Sequence, residues 1–227
     1  LIESSLFLLF RIVSVKGYYD KIKGIWFINM GNTNVFTIEC KDIILREYRI
    51  EDLDEFYVLT LQPEILEFLP GWNVPKEQRL HWLINYEIKE NKQFLKAVSE
   101  GGKIEQLRLR LGIISKETGE FIGWCCTGIK DELPPPNREI MYAISKDYRG
   151  KGYTTQAAKG IINYLFENTN VEVLNAIAII HNIPSNRVIQ KCGFDFLNII
   201  EIKKENYNYY NLTKSKWKNT LMNSLQN

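Results

Sequence analysis

Cysteine, histidine and methionine are scarce in this chain of 227 residues, at four, two and three respectively. The cysteines stand at 40, 125, 126 and 192, none in C-x-x-C spacing, and only His81 and His181 could serve as imidazole ligands, so no metal site is expected. Cys125 and Cys126 are adjacent and would face opposite sides of a strand, which fits buried thiols in a reducing, cytoplasmic setting. Long apolar runs are missing too. Residues 6–10 are apolar, but Arg11 interrupts them far short of a membrane span, and they lack the leading basic region and cleavage site of a signal peptide. No membrane partner is therefore expected. Charge of one sign does not dominate: 29 basic and 27 acidic residues leave a net +2, which disfavours nucleic acid as a partner. Internal repeats and low-complexity tracts are absent.

What is present is a pattern of short apolar segments that starts at Thr37. Residues 1–36 show no period and are expected to be an N-terminal extension. Because Met30 stands just before the patterned part, residues 1–29 read as an appended or upstream-translated segment. Residues 37–218 are expected to form one domain, with a polar tail over 219–227. Residues 43–45 read as a strand, 51–61 as a helix stopped by Pro63, and 75–91 as a second helix with Leu80, Leu83, Ile84 and Ile88 at helical spacing. Residues 107–129 read as a hairpin around the turn 116–120, and 139–145 as the next strand after the proline-rich loop 133–137. The two apolar rows Ala157, Ile161, Leu165 and Ala158, Ile162, Phe166 predict a helix over 153–168. A nearly all-apolar strand follows at 173–180, then a short helix at 185–191 capped by Gly193, then a final antiparallel pair over 194–203 and 206–213. This order predicts an α/β (α+β) domain with one mixed, mostly antiparallel sheet flanked by helices.

Between strand 139–145 and helix 153–168 lies Arg149-Gly150-Lys151-Gly152-Tyr153-Thr154-Thr155. Glycine lets a backbone approach a bulky anion, and a helix start offers unpaired N–H groups at the positive end of its dipole. Arg149 and Lys151 add positive charge where diphosphate oxygens would lie. The same residues also suit a surface turn with solvated basic side chains. The spacing fits neither G-x-x-x-x-G-K-[ST] nor G-x-G-x-x-G, because Thr155 stands where the third glycine belongs.

The stretch 149–154 resembles the Arg/Gln-x-x-Gly-x-Gly/Ala signature of the GNAT superfamily of N-acetyltransferases. Residues 148–158 are similar to its RimJ/RimL-like branch, as is a second block running from Asn182 through Ser185, Asn186, Arg187, Val188 and Lys191 to Gly193-Phe194. The resemblance covers roughly residues 40–218. It implies an acyltransferase that moves an acetyl group from acetyl-CoA to a primary amine by direct attack in a ternary complex. The acceptor would be a small molecule, an amino acid or a protein N-terminus, and the protein a monomer or homodimer. A non-catalytic acetyl-CoA-binding module on the same fold is the alternative. The resemblance further implies a V-shaped opening between strands 139–145 and 173–180. Main-chain groups near Ile144 would hold the pantetheine arm there. The diphosphate would lie on Arg149, Gly150, Lys151, Gly152, Tyr153, Thr154 and Thr155, with Asn182 and Ser185 on the other flank. Two departures stand out: Thr154 replaces a small residue, and Ile189 occupies the place where many members carry a proton-donating tyrosine.

Transfer needs a base for the ammonium and a donor for the thiolate. Glu139 is the expected base, and a solvated strand-edge carboxylate is its plain alternative. Ser185 is the expected donor, although a serine there equally suits a helix N-cap. Trp72, after Pro70-Gly71, and Tyr142 are expected to line the acceptor side, although either aromatic would also serve as core packing.

Overall fold

The computed structural model describes residues 35–224 and, before them, a two-residue antiparallel pair, β1 (Lys21–Ile22) and β2 (Ile25–Trp26). The chain divides into two units, Leu1–Phe36 and Thr37–Asn227. Apart from β1 and β2, the expectations for residues 1–34 lie outside the described residues.

The second unit runs β3 (Thr37–Glu39), β4 (Ile43–Glu47), α1 (Leu53–Thr60), α2 (Pro63–Leu66), α3 (Lys76–Trp82), α4 (Ile88–Ser99), β5 (Leu109–Ser115), β6 (Phe121–Ile129) and β7 (Arg138–Ile144). It continues with α5 (Tyr153–Asn168), β8 (Val173–Ile179), α6 (Ile183–Lys191), β9 (Asp195–Ile202), β10 (Glu205–Thr213) and α7 (Lys214–Ser224). Eight strands form one sheet in the order β3-β4-β5-β6-β7-β8-β10-β9. All neighbours are antiparallel except β7 and β8, the crossover pair that α5 connects. The domain is thus α/β, with a mixed, mostly antiparallel sheet flanked by helices, as the element order predicts.

Alternation sorts the strands into two faces. On one, Leu45 and its cross-strand partner Ile113 meet α5, whose Gly160 lies close to Leu45, and both apolar rows of α5 are buried. On the other, Trp124 and Cys126 pack with Tyr48, Phe56 and Leu83 beneath α1 and α3. Arg79 of α3 is fully buried there. Its guanidinium lies 4.9, 4.7 and 5.1 Å from the Phe56, Trp72 and Trp82 ring centres, and Nη1 is 3.5 Å from Glu87 Oε1. Glu87 closes a wide π turn, Leu83–Glu87, that joins α3 to α4.

Several elements differ from expectation for local reasons. β3 is a three-residue edge strand, too short to alternate visibly. The second long helix continues to Ser99, where Asn91 crosses to β5 and pairs with the backbone N–H and C=O of Arg110 at 2.8 and 2.7 Å. The last hairpin turns at Lys203-Lys204, both with positive φ, one or two residues earlier than the expected turn. Residues 214–224 are helical, so α7 runs on past the expected domain end at 218. Trp217 is buried against Phe166, with Nε1 donating to Asn163 Oδ1 at 2.8 Å. Among the described residues no helix is long and apolar enough to cross a membrane.

Candidate active site

The parallel pair at the sheet's centre is barely paired. β7 and β8 register at one position, Glu139 with Asn175, whereas β7 pairs with β6 over seven residues. Asn175 fastens that point. Its Nδ2 donates to the carbonyls of Pro136 (2.7 Å) and Arg138 (3.2 Å), and its Oδ1 accepts from Tyr209 OH at 2.9 Å. Beyond it the strands part, so the backbone of β7 from Ile140 to Ile144 has no ladder partner on its β8 side. A cavity of about 560 Å³ fills the opening, lined by β7, by Ile177–Ile179 of β8, by α6 and by the loop before α5.

At the mouth of the opening lies the glycine loop. Gly150 and Gly152 have φ of 78° and 80°, the left-handed region that favours glycine, and a Cβ on either would meet nothing within 4 Å. Gly152 is the N-cap of α5, and the first intrahelical bond runs from Gln156 N to Gly152 O. The N–H groups of Tyr153, Thr154 and Thr155 therefore emerge from the helix end, and all three residues line the cavity. Arg149 lines it as well, with one Nη2 bond to Glu64 O at 2.9 Å. Lys151 does not: its ammonium lies 4.9 Å from the centre of the Tyr148 ring.

Neighbouring side chains hold the loop in place. Gln62 donates to Ser145 Oγ (3.0 Å) and accepts from Lys146 N (2.9 Å), while Gln156 pairs with both the N–H and the carboxylate of Asp42. No sequence pattern marks Gln62 or Gln156, since each acts on residues more than 80 positions away.

On the far flank, Asn182 and Ser185 line the cavity with Arg187 and Lys191, which sit one turn apart on α6. The capping roles differ from expectation. Helix α6 starts at Ile183, so Asn182 is the N-cap and its Oδ1 accepts from Ser185 N at 3.2 Å. The Ser185 hydroxyl, not needed for capping, lies 3.2 Å from Tyr142 OH, which also donates to Ser185 O at 3.1 Å. Burial raises the Tyr142 pKa well above a phenol's usual value, the Ser185 hydrogen bond opposing it. Ile189 is buried along the same wall. Asn186 ties α6 to the sheet, donating to Ile179 O and accepting from Tyr210 OH and Asn208 Nδ2.

Glu139, at the vertex, lines this cavity and a second one of about 240 Å³ on the α1/α3 side, which also takes in Arg108, Arg110, Gly128, Lys130 and Met141. Burial pushes its carboxyl up to about 7, with Lys130 and Arg108 opposing and Glu132 adding. Such a group exchanges protons near neutrality. Trp72 lies in neither lining. It stacks on Trp124, with ring centres 4.4 Å apart, and covers Arg79, so it anchors its loop to the core.

The Acetyltransferase (GNAT) domain family matches residues 42–195. An uncharacterised N-acetyltransferase of Bacillus licheniformis, p20, is 25% identical over 161 residues, covering 70% of this chain and 82% of that protein. Among solved structures, a GNAT-family acetyltransferase from Bacillus anthracis superposes with a TM-score of 0.64 at 16% identity, over 79% of this chain and 99% of the other. RimL, a ribosomal L7/L12 α-N-protein acetyltransferase solved with coenzyme A, gives 0.59 at 14% identity, over 78% and 98%. With the family spanning well over half its length, this chain belongs to the GNAT acetyltransferases and is an acyltransferase.

Proposed function

We propose that the protein is an acetyl-CoA-dependent N-acetyltransferase of the RimJ/RimL-like branch, which transfers the acetyl group to a primary amine by direct attack. The observation that carries this reading is the position of Glu139: one carboxyl, with a pKa near 7, lines both a cleft suited to the thioester and a separate cavity suited to an amine.

The larger cavity fits acetyl-CoA on three counts. The amides of Tyr153, Thr154 and Thr155 and the Arg149 guanidinium offer donors to a diphosphate at the α5 N-terminus. Left-handed Gly150 and Gly152 leave open space above the backbone. The unpaired β7 edge offers the pantetheine amides a strand to pair with as far as Ile144. Asn182 and Ser185 bound the other side.

In the reaction Glu139 takes a proton from the ammonium, directly or through one water, and the freed amine attacks the thioester carbonyl. A backbone N–H near Ile144 polarises that carbonyl. The N–C bond forms and the C–S bond breaks; the new amide nitrogen gives its second proton to water, and the Tyr142–Ser185 hydroxyl pair passes a proton to the departing thiolate and regains one from water. Burial disfavours a phenolate, so the pair, with Ser185 Oγ 3.2 Å from Tyr142 OH, acts as a relay that is not left charged, standing where Ile189 offers no hydroxyl.

Thiol release measured against a panel of primary amines tests the reading. Turnover well above hydrolysis is expected for at least one amine. Acetyl-CoA that raises the melting temperature yet releases no CoA with any amine would instead leave a binding module.

A further inference from the structure

The smaller cavity owes its shape to one row of residues across three strands. Gly128 of β6 pairs directly with Glu139 of β7. On its other side, the β5–β6 ladder ends at Leu109 with Thr127, and Arg108, the residue just before it, lies against Gly128. Directly opposed residues point to the same face, and the Arg108 side chain lies on that face of Gly128, so Arg108, Gly128 and Glu139 share it, with outer Cα atoms about 10 Å apart across two strand spacings. The middle position has no side chain. A Cβ there would lie 2.9, 3.1 and 3.2 Å from Arg108 Cγ, Cδ and Nε, so the arginine stem lies down over the glycine. The result is a trough with a cation over its floor and a carboxylate at one end.

The other cations of this cavity are taken. Arg110 is held by Glu90 at 2.5 Å and Lys130 by Glu132 at 3.1 Å, whereas no ion pair joins Arg108 to Glu139. Arg108 is exposed, and its fork of donors suits a carboxylate. A volume of about 240 Å³ is below the roughly 300–1,000 Å³ of drug-sized sites, so it suits a small acceptor.

We propose that the acceptor is a small amine that also bears a carboxylate, of the amino-acid type, held with its amine at Glu139 and its carboxylate on Arg108. This rests on the transferase reading for turnover but not for binding. The carboxylate at one end and the cation over the floor orient a zwitterion one way round, and the lack of a side chain at Gly128 lets the arginine stem lie low, leaving the space above it for the acceptor. An amine without the acid leaves Arg108 unused, and an amine blocked by acylation leaves nothing for Glu139.

The test compares free amino acids with their C-terminal amides, which keep the amine and lose the carboxylate. CoA release and calorimetric binding in the presence of CoA are both read on the intact protein. For the wild type, kcat/KM should favour at least one free acid over its amide by about ten- to a hundred-fold, the range a charge-assisted hydrogen bond supplies. Arg108→Gln should bring that ratio near one, mainly through KM. Gly128→Ala, whose added methyl would push on the Arg108 stem at Cγ and Cδ and so displace an exposed side chain, should also reduce it while acetyl-CoA affinity holds. Equal use of acids and amides by the wild type overturns the proposal, as does a preference that survives Arg108→Gln or acetylation confined to peptide N-termini. Amino acids that bind the wild type, not Arg108→Gln, and are never acetylated would uphold the pocket and overturn the transferase reading instead.

Discussion

Replacing Glu139 by glutamine should stabilise the fold at alkaline pH while removing catalysis. Its carboxyl is raised from 4.5 to about 7, principally by burial. In the unfolded chain it regains its ordinary value. Below pH 4.5 both states hold the proton and the group contributes no difference. Between 4.5 and 7 the folded state keeps a proton that the unfolded state has lost, so stability falls as pH rises. Above 7 the loss is complete, and a shift of about 2.5 units at 1.36 kcal/mol per unit amounts to about 3 kcal/mol. Glu139→Gln has no charge to desolvate. In urea titrations it should match the wild type near pH 5 and exceed it by up to about 3 kcal/mol at pH 8.5, with other titrating groups cancelling in the comparison. In parallel, wild-type kcat/KM should climb through pH 7, and the variant should lose that limb and about 10²–10⁴ of rate. Parallel stability curves from pH 5 to 8.5 would refute the argument, because they would mean that the carboxylate is solvated in the folded protein.

Legibility from sequence followed how local each cause is. Helix α5 is bounded by Gly152 and shaped by two apolar rows, all within one segment, and its observed limits match the expected 153–168. The strands 107–129, 139–145 and 173–180 are legible for the same reason. The cleft between the last two depends on Asn175, which in a run of apolar residues looks like a blemish and acts only through Pro136, Arg138 and Tyr209. The capping of α6 turned on a choice between two good caps three residues apart. Asn182 wins because Pro184 suits the first turn of the helix, and this frees the Ser185 hydroxyl for Tyr142. Trp72 was legible as an aromatic after a break but not as a partner of Trp124, because nothing in the spacing of residues 72 and 124 brings them together.

Three more perturbations probe these assignments. Gly152→Asp places a carboxylate where diphosphate oxygens would lie, whereas Gly152→Asn tolerates the same left-handed φ without charge. Acetyl-CoA affinity by calorimetry should therefore be at least about ten-fold weaker for Asp than for Asn, and equal affinities would remove the loop from the binding site. Tyr142→Phe should lower kcat with little change in the KM for acetyl-CoA, and an unchanged kcat in single-turnover assays would rule out its hydroxyl as the thiolate's donor. The last concerns Arg79, whose guanidinium is fully buried among three rings and reaches only one oxygen of Glu87, at 3.5 Å. Arg79 Nε and Nη2, Glu87 Oε2 and Tyr48 OH have no hydrogen-bond partner among the described residues. Burial lowers the pKa of Arg79 and raises that of Glu87, the direction expected when desolvation outweighs attraction. Arg79→Met should then cost about 3–5 kcal/mol, since it strands the Glu87 charge, whereas adding Glu87→Gln should recover much of that loss. A double variant as unstable as Arg79→Met alone, in chemical denaturation, would show that the guanidinium is held by its three aromatic rings and not by the carboxylate.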